Sequence, residues 1–232
     1  MTKRNLILPK IGLLRGSMAH LLASILALIV GVALVESAEY EDLAIGLLLS
    51  LVYFSGLLAV AGQGSILARG CILLIPTLVA KWWSHVSRGL VSDAFVLSLT
   101  LLLLAFVIYH LFLFIVRSPR VNREVLLAGI STYLLLAVLW ATAYMLISDL
   151  SPSSFTINTG IEPHGKLDFE TALYFSFITL GTVGYGDIVP NSAAARTLAF
   201  LQAVVGTFYM AILIARLVAQ YTAENRIVSE EK

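Results

Sequence analysis

Six predominantly apolar runs dominate this chain and leave it few ways to fold. They are Ser17–Val35, Leu43–Ala61, Ile66–Trp83, Asp93–Val116, Val125–Ser148 and Ala195–Ala219. A bilayer core is crossed by ~20 apolar residues in helical form. Lipid offers the backbone no hydrogen-bond partners, so each run must satisfy its own amides and carbonyls as a helix. The runs are solid Leu, Ile, Val and Ala, without the alternation a membrane barrel requires. Charged residues make up 12% of the chain and hydrophobic residues 59%. A soluble domain carries about 25% charge, and disorder needs low hydrophobicity with high charge. Both classes are therefore excluded. The single cysteine, Cys71, allows no intrachain disulfide and no paired-cysteine metal or redox site.

The third run contains Pro76, with Arg69 and Lys81 near its ends, which predicts a kinked helix with snorkelling charges. The first run follows Lys3, Arg4, Lys10 and Arg15, as a signal peptide would. Its apolar core exceeds a signal core in length, so it is expected to be a retained span. Lys and Arg set the sidedness. The N-terminal arm, the Arg69 loop, the linker with Arg117, Arg120 and Arg123, and the C-terminal segment hold eleven basic residues against four acids. The opposite side holds four basic residues against ten acids, among them Glu36, Glu39, Glu41 and Asp42. Both termini are thus expected in the cytoplasm. The expected organisation is an arm at 1–16, a four-helix membrane domain at 17–116, a basic linker at 117–124, a second membrane domain at 125–221 and a tail at 222–232.

The connection from Asp149 to Ala194 differs from the others. It begins polar, with Pro152, Pro163 and Gly165, and turns amphipathic and aromatic from Asp168 to Leu180. Asp168 is a suitable N-cap, and Glu170 lies in the first turn, where the helix dipole favours an acid. Thirteen residues at 1.5 Å rise give ~20 Å, too short to cross. A helix that enters and turns back follows. Non-helical backbone at that depth is tolerated only when buried in protein or lining a water-filled path.

That helix leads into Thr179-Leu180-Gly181-Thr182-Val183-Gly184-Tyr185-Gly186-Asp187. This stretch resembles the selectivity-filter signature of potassium channels, T-x-x-T-x-G-Y-G-D, at every specified position. The resemblance covers about Val125–Tyr221. It implies an all-α integral membrane protein with six transmembrane helices, a re-entrant pore helix and an extended filter loop in a tetrameric pore. It further implies that the carbonyls of Thr182, Val183, Gly184 and Tyr185 replace the water shell of a potassium ion. Gly184 and Gly186 would permit the required dihedrals without steric cost. By the same resemblance, Thr179, Gly186 and Asp187 support the filter, and Tyr185 packs on pore-helix aromatics, with Tyr174 and Phe175 as candidates. One chain supplies one loop, so four carbonyls per ring imply a homotetramer. No cofactor is implied; potassium is the permeant ion.

Two positions depart from the family pattern. Residue 178 is Ile, where some bacterial members carry a carboxylate that bonds to the filter-end Asp, so Asp187 needs another partner. Gly181 stands where many members have Thr or Ala, with a slightly looser junction expected and no loss of selectivity. In the sixth run, Gly206 follows Gly184 by 22 residues, a spacing that resembles the family's gating hinge. A small residue for close helix packing is the other reading. Thr207, Met210 and Ile214 recur at helical spacing as candidates to line a cavity. Arg216, near the inner end, either rings the mouth or snorkels, with snorkelling expected of a lone basic residue.

A voltage sensor needs several Arg inside the field, each worth ~2.3 kcal/mol per 100 mV. Asp93–Val116 contains no Lys or Arg. Arg117, Arg120 and Arg123 begin where the apolar run ends, so a positive-inside linker touching lipid is expected. About eleven residues follow Tyr221, too few for a soluble ligand-binding module. His20, His85, His110 and His164 are isolated and are expected to be packed or surface residues rather than pH sensors, with His164, near Glu162, the least removed from that role. No HExxH, GxSxG or intramembrane acid pair is present, so an enzyme is not expected. Nothing points to a nucleic acid. The expected function is passive potassium conduction without voltage gating, in a bacterial inner membrane. The alternative is a non-conducting or accessory subunit of a potassium transport system.

Overall fold

A computed structural model describes residues 16–35, 40–62, 64–86, 92–119, 121–157 and 166–230. The basic arm, Glu36, Glu39, Glu162 and His164 lie outside the described residues. Six long helices run in chain order: α1 (Ser17–Val35), α2 (Glu41–Val60), α3 (Gly64–Val86), α4 (Asp93–Arg117), α5 (Arg123–Leu150) and, last, α7 (Ala193–Glu230). Between α5 and α7 lie strand β1 (Phe155–Ile157), the short helix α6 (Phe169–Leu180) and strand β2 (Ile188–Pro190). All six long helices have the length and apolarity of membrane spans, and the protein is a multi-pass membrane protein. The third span continues as helix through Pro76. The last extends past Tyr221 to Glu230, so part of the expected tail is helix.

The first four helices form a bundle around side chains at helical spacing. On α1 these are Leu21, Ile25, Leu28 and Val32; on α4, Leu103, Leu104, Val107 and Leu111. Residues three and four apart share a helix face, so each set makes one apolar stripe. In α1 and α2 the hydroxyls of Ser24 and Ser55 meet at 2.6 Å across the interface, an interhelical bond worth ~0.6 kcal/mol in a membrane. The bundle joins the rest of the molecule mainly through α4 and α1, both packed on α5.

α5 is the central post. Asn122 caps its start, accepting from the Val125 amide at 3.0 Å. Of its span, 61% is buried in the protomer, against 11% for α7. It packs against α1 and α4 on one side and α6 and α7 on the other. The two short strands pair antiparallel, Phe155 opposite Pro190 and Ile157 opposite Ile188. Three residues each, they are too short for alternation to reveal them in sequence. Their effect is positional: the chain leaving α5 is laced to the chain entering α7, and the Asn191 amide also donates to Ser154 O at 2.7 Å.

Leu103 is fully buried between bundle helices. Leu103→Ala is expected to lower unfolding stability in detergent by about 2–5 kcal/mol. A thermal melt with unchanged midpoint would show that the bundle is not packed at this level.

Candidate functional site

The loop after α6 is built from the helix outward. Asp168 caps α6, its carboxylate accepting from the Thr171 amide at 2.7 Å. At the other end the last carbonyls are taken in turn. Phe177 O accepts from Gly181 N at 2.9 Å and Thr179 O from Thr182 N at 3.0 Å. Ile178 O accepts from Val183 N at 2.8 Å and Gly184 N at 3.3 Å. These bonds reverse the chain, so that residues 182–187 run back along the helix they have just left.

The returning segment has an unusual backbone. Thr182, Gly184 and Gly186 have φ of 56°, 59° and 81°, whereas Val183 and Tyr185 between them stay outside the positive region. In an ordinary strand successive carbonyls point to opposite sides. Alternating the sign of φ rotates every second peptide plane and works against that alternation. Thr182 is the one non-glycine residue with positive φ among the described residues. For a β-branched side chain this is an outlier, with a cost on the order of 1–3 kcal/mol of the kind concentrated at functional sites. A Cβ added at Gly184 or Gly186 would meet nothing within 4 Å. Backbone conformation, not crowding within the protomer, is what asks for glycine there.

The far end of the segment is tied back to the same helix. Tyr174 donates its hydroxyl to Asp187 Oδ2 at 2.6 Å, and the Ile188 amide donates to Asp187 Oδ1 at 3.0 Å. Helix rise accounts for ~6 Å between Tyr174 and Ile178, while four extended residues span up to ~13 Å. The tyrosine side chain makes up the difference. The bond to the Asp187 carboxylate, with smaller help from burial, pushes the Tyr174 pKa up to about 12. The hydroxyl therefore keeps its proton, and its donor role, across the physiological range. With Ile at 178, Tyr174 is the partner that Asp187 needs.

The other expected site residues fall in distinct places. Thr182, Val183, Gly184, Tyr185 and Gly186 are exposed on the protomer, Tyr185 by 72%. Phe175 is buried, and its ring contacts are Tyr144 at 4.9 Å and Phe155 at 5.7 Å. Its support runs through α5 and β1, in place of the expected packing on Tyr185. Thr179 supplies the carbonyl that holds the Thr182 amide. Thr207, Met210 and Ile214 are all exposed on α7, but so are Phe208 and Ile212 on other faces. Arg216 does not simply snorkel: one guanidinium nitrogen donates to Ser118 O at 2.6 Å, in the linker between α4 and α5.

Gly206 lies against the end of α6 within an unbroken helix. A Cβ there would stand 2.7 Å from Leu180 O and 2.8 Å from Leu180 Cδ1. Close packing thus gives this glycine a physical reason. Sequence reasoning also missed Gln202, fully buried and bonded to both α5 and α6. A polar residue midway along an apolar run was the available signal.

A short helix ending in a reversed, strained loop between two spanning helices is the architecture of an ion-channel pore. Residues 129–223 match the family model for ion channels. Two-pore potassium channel 1 of Arabidopsis thaliana is 30% identical over 108 residues, covering 47% of this chain and 29% of the relative. Probable potassium channel protein 2 of Methanocaldococcus jannaschii is 40% identical over 60 residues, covering 26% and 17%. The inward rectifier potassium channel Kirbac3.1 of Paramagnetospirillum magnetotacticum is 31% identical over 90 residues, covering 39% and 27%. The chain thus spans less than a third of the length of each of these three relatives. No solved structure matches it. Over this region the chain is similar to ion channels, and these three relatives are potassium channels.

Two substitutions test the site. Tyr174→Phe removes a hydrogen bond to a charged group, worth about 1.5–3 kcal/mol. Current through reconstituted protein is expected to run down at least tenfold faster; a wild-type time course would show that Asp187 is held some other way. Gly206→Ala separates packing from flexibility. In a freely exposed helix alanine stabilises by ~1 kcal/mol, whereas against Leu180 overpacking costs ~1–3 kcal/mol. A lower melting temperature is expected, and a higher one would favour the hinge.

Proposed function

We propose that the protein is a potassium-selective channel that conducts passively through the centre of a homotetramer. The observation that carries this reading is the alternating φ of residues 182–186, in a loop anchored at Ile178 and Tyr174. With carbonyls of Thr182, Val183, Gly184 and Tyr185 facing one axis, each protomer supplies one oxygen per ring. Four protomers then replace the hydration shell of the ion. The C-terminus of α6 directs its negative dipole end toward the same axis, which favours a cation.

Exposure within the protomer supports the assembly. Non-helical backbone facing lipid would leave amides and carbonyls unpaired at several kcal/mol each. The exposed filter loop and the sparsely buried α7 are therefore surfaces for other copies and for a water-filled path. Cyclic symmetry places the same loop of every copy around one centre. Pore lining by Thr207, Met210 and Ile214 belongs to this proposal, as do cytoplasmic termini and a bacterial inner membrane.

Opening by a conventional voltage sensor is not part of the reading. α4 has Arg117 at its inner end and no other Lys or Arg. His110 is bonded through Nδ1 to Phe106 O at 2.8 Å and lies against the Phe106 ring.

The test is purified protein in liposomes, with potassium and sodium flux compared. Potassium flux well above sodium flux is expected. Equal flux, or none, would remove the assignment. Gly184→Ala places a side chain at positive φ, at a cost of ~1–2 kcal/mol per subunit. It is expected to abolish selectivity or conduction while leaving the tetramer intact by size-exclusion chromatography. Wild-type flux in that variant would contradict the filter role.

A further inference from the structure

Behind the filter lies a polar cluster that the conduction pathway itself does not use. Gln202 of α7 is fully buried, and its side-chain amide is fully engaged. Its Nε2 donates to Ser176 O at 2.9 Å and to Ser176 Oγ at 2.7 Å. Its Oε1 accepts from the Tyr144 hydroxyl of α5. Ser176 Oγ in turn donates to Ala137 O of α5 at 2.7 Å. Four hydrogen bonds thus join the outer helix, the pore helix and the inner helix, with Ser176 also completely buried.

A buried amide is costly unless every group is paired, and here every group is. Networks of this kind fix one arrangement of their surroundings. The arrangement fixed is the height and rotation of α6. Ser176 stands two residues before Ile178, whose carbonyl holds the Val183 and Gly184 amides. Nothing but helical backbone lies between the Gln202 contact and the filter anchor. A site that discriminates ions by carbonyl placement requires its support to be held within ~0.5 Å. Apolar packing alone, free to slide, defines such a position less sharply than directional bonds.

We propose that Gln202 is a positioning residue for ion selection: it sets the filter through Ser176 and Ile178, without touching the ion. The inference rests on the channel reading above, since it presupposes that residues 182–185 select the ion. It also implies that an inner-helix movement at the level of Gln202 is felt by the filter.

The experiment compares wild type, Gln202→Leu, Gln202→Glu and Tyr144→Phe in planar bilayers. Reversal potentials are measured in mixed sodium and potassium. Melting of the tetramer in detergent is recorded in each cation separately. Gln202→Leu is expected to assemble and to raise the sodium-to-potassium permeability ratio about tenfold, the equivalent of one lost hydrogen bond. The difference in melting temperature between potassium and sodium should shrink with it. A purely structural role would lower both melts equally and leave that difference unchanged. Gln202→Glu, protonated when buried, keeps the acceptor for Tyr144 and one donor for Ser176, and should restore part of the selectivity. Tyr144→Phe removes a single bond and should give a smaller effect in the same direction. Should Gln202→Leu not assemble, the two milder variants carry the test. Wild-type permeability ratios and wild-type melting differences in the assembled variants would overturn the inference. Lack of selectivity in the unmutated protein would instead sink the channel reading, and the inference with it.

Discussion

The second half of this protein depends on how a helix ends inside a membrane. α6 stops at Leu180, well short of the length needed to cross, and the chain must return with its backbone satisfied. The carbonyl of Ile178 solves the first part by accepting from both Val183 and Gly184. The second part falls to Tyr174, which reaches up the same helix to fix Asp187. One helix thus holds both ends of the loop. The strained φ of Thr182 is sustained because bonds on either side leave the chain no freer route.

The scaffold around α6 follows from that requirement. α5 backs it with Tyr144 and Ala137, β1 adds Phe155, and α7 adds Gln202 and the absent side chain of Gly206. Aromatic rings fill the volume at edge-to-face angles, while the amide and hydroxyls fix direction. The division of labour is physical. Dispersion is tolerant of small slips, and hydrogen bonds are not. The face of α6 turned to the scaffold is crowded and dry, and the loop itself is left exposed on the protomer.

Much of this was legible in the sequence, because membrane-length apolar runs, a capping Asp and a glycine-spaced loop are all local signals. The span boundaries, Asp168 at the start of α6 and its stop at Leu180 are each readable from a few adjacent residues. What was not legible depends on contacts between distant parts. β1 and β2 are paired only because Phe155 and Pro190 meet across 35 positions. Phe175 packs on Tyr144 of α5 and Phe155 of β1, 31 and 20 residues earlier in the chain, a contact that no local signal marks. Gly206 had two readings in sequence, and only the approach of the Leu180 carbonyl gives one of them a physical cause. Gln202 went unremarked because its two partners, Ser176 and Tyr144, lie 26 and 58 residues away.

The bond from Arg216 to the Ser118 carbonyl reaches the opposite end of the molecule. It bridges the C-terminal half of α7 to the short strap that connects α4 with α5. Any outward swing of α7 at that level must either snap this tie or tow the strap behind it. The four leading helices are consequently harnessed to the C-terminal half of α7 by a mechanical link that needs no mobile charge.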